Sequence, residues 1–163
     1  MTEYCQPNGS SPSGLGNDNL AANKITSGNT LIGATASSLT VYLAKFQDNG
    51  GIITAYIWNT AGVSQTASNT INSDDLSETL SAETFTFTTP TTISENFFVG
   101  VQRTGASSGP GVEIKTSNSS QAGWVLAENP LPNTNDTNAS VTMCVDASGG
   151  GSSGGTRLPP PRS

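Results

Sequence analysis

The stretch that decides the fold runs Ser38-Leu39-Thr40-Val41-Tyr42-Leu43-Ala44-Lys45-Phe46, then Gln47-Asp48-Asn49-Gly50-Gly51, then Ile52-Ile53-Thr54-Ala55-Tyr56-Ile57-Trp58. Leu39, Val41 and Leu43 alternate with Thr40, Tyr42 and Ala44, and Ile53, Ala55 and Ile57 alternate with Thr54, Tyr56 and Trp58. A period of two puts each set on one face of a β-strand. Asn49-Gly50 is a hairpin signal, because both residues readily take the positive φ that tight turns need. The expectation is therefore a hairpin whose aliphatic face enters a core. Tyr42, Phe46, Tyr56 and Trp58 then share the opposite face, with Tyr42 paired beside Tyr56 or Trp58.

Strand patterns continue outward from this stretch. Leu20–Ile25 reads as an opening strand. Thr84–Thr88 alternates Phe85 and Phe87 with threonine until Pro90 breaks the run. Phe97–Arg103 sets Phe97, Val99 and Val101 inward, Val112–Thr116 and Gly123–Ala127 are short strands, and Ala139–Asp146 carries Val141, Met143 and Val145 on one face. Val63–Thr70 is a polar connection or a weak edge strand, and Asp74–Ala82 makes one helical turn at most. Residues 1–18 and Asn129–Asn138 are rich in turn formers and read as loops. There is no internal repeat and no amphipathic helical run. About eight short strands at this spacing predict an all-β, antiparallel sandwich. The domain spans 19–148, with an extended N-terminal arm (1–18) before it. A flexible Gly/Ser linker and a Pro-rich basic tail (149–163) follow it.

The 163 residues suit one domain. Charged residues make up only 11%, far below the usual quarter, and Ser, Thr, Asn and Gly replace them. Residues 1–148 hold four cations (Lys24, Lys45, Arg103, Lys115) against all twelve acids, a balance of −8, and Arg157 and Arg162 bring the whole to −6. An acidic body with scattered cations argues against nucleic acid, which needs clustered Lys and Arg, and against anionic membranes. No apolar window is long enough to span a bilayer, so no membrane insertion is expected. Met1–Pro7 has neither the basic nor the apolar region of a secretory signal. Export by another route, a trimmed leader, or assembly inside a cell into something that later leaves would each account for that. The last describes a virion component.

Cys5 and Cys144 are the only cysteines. Bridged, they would close nearly the whole domain, for about 5 kcal/mol by loop entropy. Unbridged, they are two separate thiols. A metal site with two cysteines and no histidine is not expected.

Ser38–Lys45, Ile53–Trp58, Phe85-Thr86-Phe87 and Phe98-Val99-Gly100-Val101-Gln102-Arg103 together carry a resemblance. In that order the stretch from Leu20 to about Arg103 resembles a widespread jelly-roll domain of extracellular bacterial and archaeal surface proteins and of virion decoration or fibre proteins. In outline it is similar to carbohydrate-binding modules. It covers about half the chain and is a resemblance of pattern, without a chemical motif, so it implies a fold and a location rather than a reaction.

Little in the chain points to catalysis. It contains no histidine, the commonest general base and metal ligand. Carboxylates such as Asp48, Glu113, Glu128 and Asp146 offer no spacing that selects a glycosidase pair. Asn17-Asp18-Asn19 and Asp74-Asp75 supply hard oxygens for calcium, though neither completes a calcium loop; no other cofactor is expected. The outward aromatics Tyr42, Phe46, Tyr56 and Trp58 require a cover, which a segment of the same chain, a subunit partner or a sugar would provide. Arg157, Leu158, Pro159, Pro160, Pro161 and Arg162 form a short cationic, polyproline-prone peptide. It is either an end without a role or a docking peptide for a neighbouring acidic body. The expected function is a structural subunit of a virion or extracellular filament, homo-oligomeric and not an enzyme. A glycan-binding or adhesive module of a cell surface is the alternative.

Overall fold

In the computed structural model, residues 1–6, 11–107, 111–117, 123–128, 130–132, 134–136 and 139–149 are described. The strands are β1 (Thr2–Gln6), β2 (Ser11–Leu15), β3 (Leu20–Ile25), β4 (Ala34–Lys45), β5 (Ile52–Trp58), β6 (Ser64–Asn72), β7 (Ser81–Thr92), β8 (Phe98–Thr104), β9 (Val112–Ser117), β10 (Trp124–Glu128), β11 (Thr134–Asp136), β12 (Ser140–Val141) and β13 (Met143–Gly149). One 3-10 turn, Ser73–Asp75, lies between β6 and β7.

All the pairings are antiparallel, and they form two sheets. The first runs β1–β13–β4–β7, with β9 taking over from β13 beside the end of β4 and carrying β2 and β12. The second runs β6–β5–β8–β3–β10–β11. Five pairings nest inside one another: β1 with β13, β3 with β10, β4 with β9, β5 with β8, and β6 with β7. The chain is thus a doubled ribbon folded over itself. Two seams bring the sheets close to a closed barrel. At one, Ser68 pairs Phe87 and the Thr66 and Thr88 hydroxyls donate to Thr89 and Ala67 carbonyls. At the other, the Asn23 carboxamide donates to Val141 O and accepts from Val141 N, while Leu126 N donates to Ala139 O. Leu39, Val41 and Leu43 from the first sheet meet Ile53, Ala55 and Ile57 from the second in the core between them, all fully buried.

Four expectations change. First, β4 and β5 form no hairpin. Both edges of β4 are taken by β7 and by β13 and β9, and both edges of β5 by β6 and β8. The turn at Gly50 and Gly51, both at positive φ, carries the chain from one sheet to the other. Second, the N-terminal arm is not loop throughout: β1 and β2 are strands of the first sheet. Tyr4 packs against the core and Gln6 is buried, while Pro12 sits on edge strand β2, where a missing N–H is tolerated. Third, Val63–Thr70 is no weak connection; β6 pairs β5 at six positions. Fourth, Pro90 does not end its strand. Along β4 the register of β7 jumps from Thr86 to Thr91, so Pro90 falls where no partner asks for its N–H. With these, with β11 inside the stretch expected to be loop and with β12 split from β13, the described residues carry thirteen strands rather than about eight.

Candidate interaction surfaces

Cys5 and Cys144 face each other in the β1–β13 register and are joined by a disulfide, 139 residues apart in sequence. The clip lies on the outward side of the first sheet, flanked inward by Tyr4 and Gln6. Tyr4 donates its hydroxyl to Gly149 O and Gln6 its amide to Ser140 Oγ. The Glu3 carboxylate lies within 4.8 Å of both sulfurs, whose valences the disulfide occupies.

The rest of that outward face is short hydroxyl chemistry. Thr40 bonds Thr84 across β4 and β7, Thr35 bonds Thr92, and Ser38 donates to Asp146. Tyr42 stands among them, half-buried, with the Lys115 ammonium 5.0 Å from its ring centroid. The pair is a cation–π contact.

Tyr56 and Trp58 come together on the other sheet, with ring centroids 5.2 Å apart. They form no open platform. Trp58 is 5% exposed in a second apolar cluster with Leu20, Ala22, Phe98 and Ala127, against which Tyr56 and Leu131 pack. Leu131 presses so close to the β5–β6 turn that a Cβ on Gly62 would lie 2.8 Å from its own Cβ. Beneath, Gly100 pairs with both Tyr56 and Ala22, and a Cβ there would sit 2.2 Å from Ala21 O. The expected quartet is therefore divided: Tyr56 and Trp58 are covered by their own chain, while Tyr42 lies on the other sheet.

Phe46 belongs to neither group. It stands just past β4, 47% exposed, in an open cleft of about 370 Å³ lined by Lys45, Phe46, Gln47, Asp48 and Glu78. Lys45 Nζ lies 2.8 Å from Asp48, whose side chain is 74% exposed. The hydrogen bond to Asp48, with the charges of Asp48, Asp74 and Glu78, holds the Lys45 ammonium above its ordinary pKa despite partial desolvation.

Behind the cleft is a latch that the sequence reading did not single out. Val99, Val101 and Arg103 share the inward phase of β8, so the Arg103 guanidinium is fully buried. It donates to Leu15 O at 3.2 Å and to Gly50 O at 2.6 Å. Burial lowers its pKa, against the pull of Asp74. Asp74 accepts from Gly50 N through its carboxylate and from Lys45 Nζ through its carbonyl, and Ser73 Oγ donates to Gly50 O. The Asp74-Asp75 pair considered for calcium is thus the head of a 3-10 turn, with Asp74 holding the sheet-to-sheet corner. Asn17-Asp18-Asn19 likewise makes a turn: Asn17 accepts from Ala106 N and donates to Asp18. Extending the Val99–Val101 alternation by two would have found Arg103. A smaller cleft of about 130 Å³ opens between β2–β9 and β3–β10, bounded by Ser13, Asn19, Leu20, Thr116 and Leu126 among others.

No helix among the described residues is long and apolar enough to cross a membrane. The tail residues Arg157, Leu158, Pro159, Pro160, Pro161 and Arg162 lie outside the described residues. No family model matches the chain, and no curated protein matches its sequence. The likeness to jelly-roll surface and virion domains therefore rests on strand pattern alone.

Proposed function

We propose that the chain is a structural subunit of jelly-roll type, serving assembly in a virion or an extracellular filament rather than catalysis. The observation that carries this reading is the Cys5–Cys144 clip, which ties the first strand of the domain to the last. Disulfides persist in oxidising surroundings and on virion and cell surfaces. A domain knitted at both ends suits a part that must hold its shape outside a cell. The nested pairing supports the jelly-roll assignment, since a doubled ribbon that rolls up gives that order of partners. The low-charge hydroxyl face of the first sheet supports a role in presenting surface.

The sugar-binding alternative is weakened at the residues first considered for it. Trp58 is covered by its own chain, and Lys115 occupies the Tyr42 ring. Phe46 remains as its one open aromatic.

Negative-stain imaging and sedimentation velocity of the purified, oxidised full chain test the assembly reading. Regular oligomers or filaments are the expected result. A single monomeric species up to millimolar concentration would sink it, and saturable glycan binding lost in Phe46→Ala would favour the alternative.

A further inference from the structure

The Phe46 cleft and the cationic segment beyond β13 have complementary chemistry. The cleft offers an exposed aromatic ring, with the carboxylates of Asp48 and Glu78 beside the single ammonium of Lys45. Arg157-Leu158-Pro159-Pro160-Pro161-Arg162 offers a proline run between two guanidinium groups. Polyproline segments dock on aromatic-lined grooves with little ordering cost, because their conformation is already restricted. Arginine pairs with carboxylates in a planar fork that lysine cannot reproduce. The cleft lies within the range of ~300–1,000 Å³ usual for ligand sites.

The strand register sets how far the segment must reach. Gly149, the last residue of β13, pairs with Ala34 at the start of β4, whereas Phe46 follows Lys45 at its end. The cleft and the exit point of the segment are therefore at opposite ends of β4, roughly 36 Å apart at the rise of a strand. Arg157 lies eight positions beyond Gly149, a reach of at most roughly 28 Å. On its own body Arg157 falls short of the cleft, and only a wholly stretched chain brings the prolines level with it. A cleft on a second copy is under no such limit of reach.

Resting on the assembly reading above, we propose that the Phe46 cleft receives the Arg157–Arg162 segment of a neighbouring copy, so that copies join head to tail. Such a contact uses two different surfaces. It closes into a ring if the rotation between copies allows and otherwise continues as a filament.

The test is a charge-swap complementation in the full-length, oxidised chain. One variant carries Arg157→Glu and Arg162→Glu, the other Asp48→Lys and Glu78→Lys. Each alone is expected to weaken assembly by about thirtyfold, as loss of a central contact does. Mixed, they should assemble again, because each reversed segment then meets a reversed cleft. Phe46→Ala, at an exposed position where folding is not at stake, should weaken assembly to a similar degree with an unchanged melting temperature. Raising salt from 0.05 to 1 M, which shortens screening from more than ~10 Å to ~3 Å, should disperse the native assembly. If the native chain assembles and all three variants assemble as well as it does, the docking proposal is wrong while the assembly reading stands. If the native chain stays monomeric, both are wrong. Loss in each variant without recovery on mixing would overturn the head-to-tail pairing.

Discussion

On the outward face of the first sheet, Tyr42 stands among Ser38, Thr40 and Thr84 with Lys115 over its ring; on the outward face of the second, Trp58 and Phe98 are buried. Both faces began as alternating strands with aromatics pointing away from the main core. One stays wet and is braced by hydroxyl ladders and a covalent clip. The other has acquired a small core of its own beneath Leu131. An outward aromatic thus has no fixed meaning until the segment above it is known, and that segment can come from more than seventy residues further along the chain.

The contrast can be broken at several points. The largest effect is expected at the clip of the first sheet. Replacing Cys5 and Cys144 together by alanine should lower stability by about 5 kcal/mol through the loop they close. Urea unfolding with and without reductant measures it, and a loss under 1 kcal/mol would mean that β1 is held by its ladder, Tyr4 and Gln6 alone. Next comes Trp58→Ala, expected to cost about 3–5 kcal/mol because it empties the second cluster. If it instead costs as little as a surface change, Leu131 is no lid. Arg103→Met should cost about 2–4 kcal/mol by removing the buried donor of the Leu15 carbonyl and leaving the Gly50 carbonyl with Ser73 Oγ alone. Hydrogen exchange should then quicken at Gly50 and Ser73 before it does in the strands. The smallest change is Tyr42→Ala, at about 1 kcal/mol for a half-buried cation–π pair. Should Tyr42→Ala and Trp58→Ala prove equal, the distinction between the two faces collapses.

What the sequence disclosed follows the range over which each signal acts. The inward phases of Leu39–Leu43 and Ile53–Ile57 were legible because alternation is local, and these six residues are fully buried. The all-β class followed from the same runs. The partner of each run was not legible. Asn49-Gly50 reads as a hairpin whether the next strand folds back or crosses over, and what sends it across is the claim of β7, β13 and β9 on both edges of β4. Gly100 illustrates a second limit: its need to be glycine arises from the backbone of Ala21 and Ala22, nearly eighty residues earlier. The β2 strand was hidden by its own Pro, Gly and Ser, and the short β1 by the turn formers that follow it from Pro7, since edge position and partner outweigh propensity there. At the candidate site, alternation placed Phe46 on a shared outward face, whereas it stands just past β4 and is 47% exposed. Its separation from Tyr56 and Trp58, and the acids that surround it, depended on the fold.

The disulfide has a mechanical consequence. Because Cys5 and Cys144 sit side by side on neighbouring strands, tension applied through Met1 on one side and beyond Gly149 on the other passes from sulfur to sulfur. The residues between the two cysteines carry none of it. Under load the oxidised domain is a short, nearly inextensible link. Once reduced, the same domain could pay out roughly 450–500 Å of chain before the next link felt the strain.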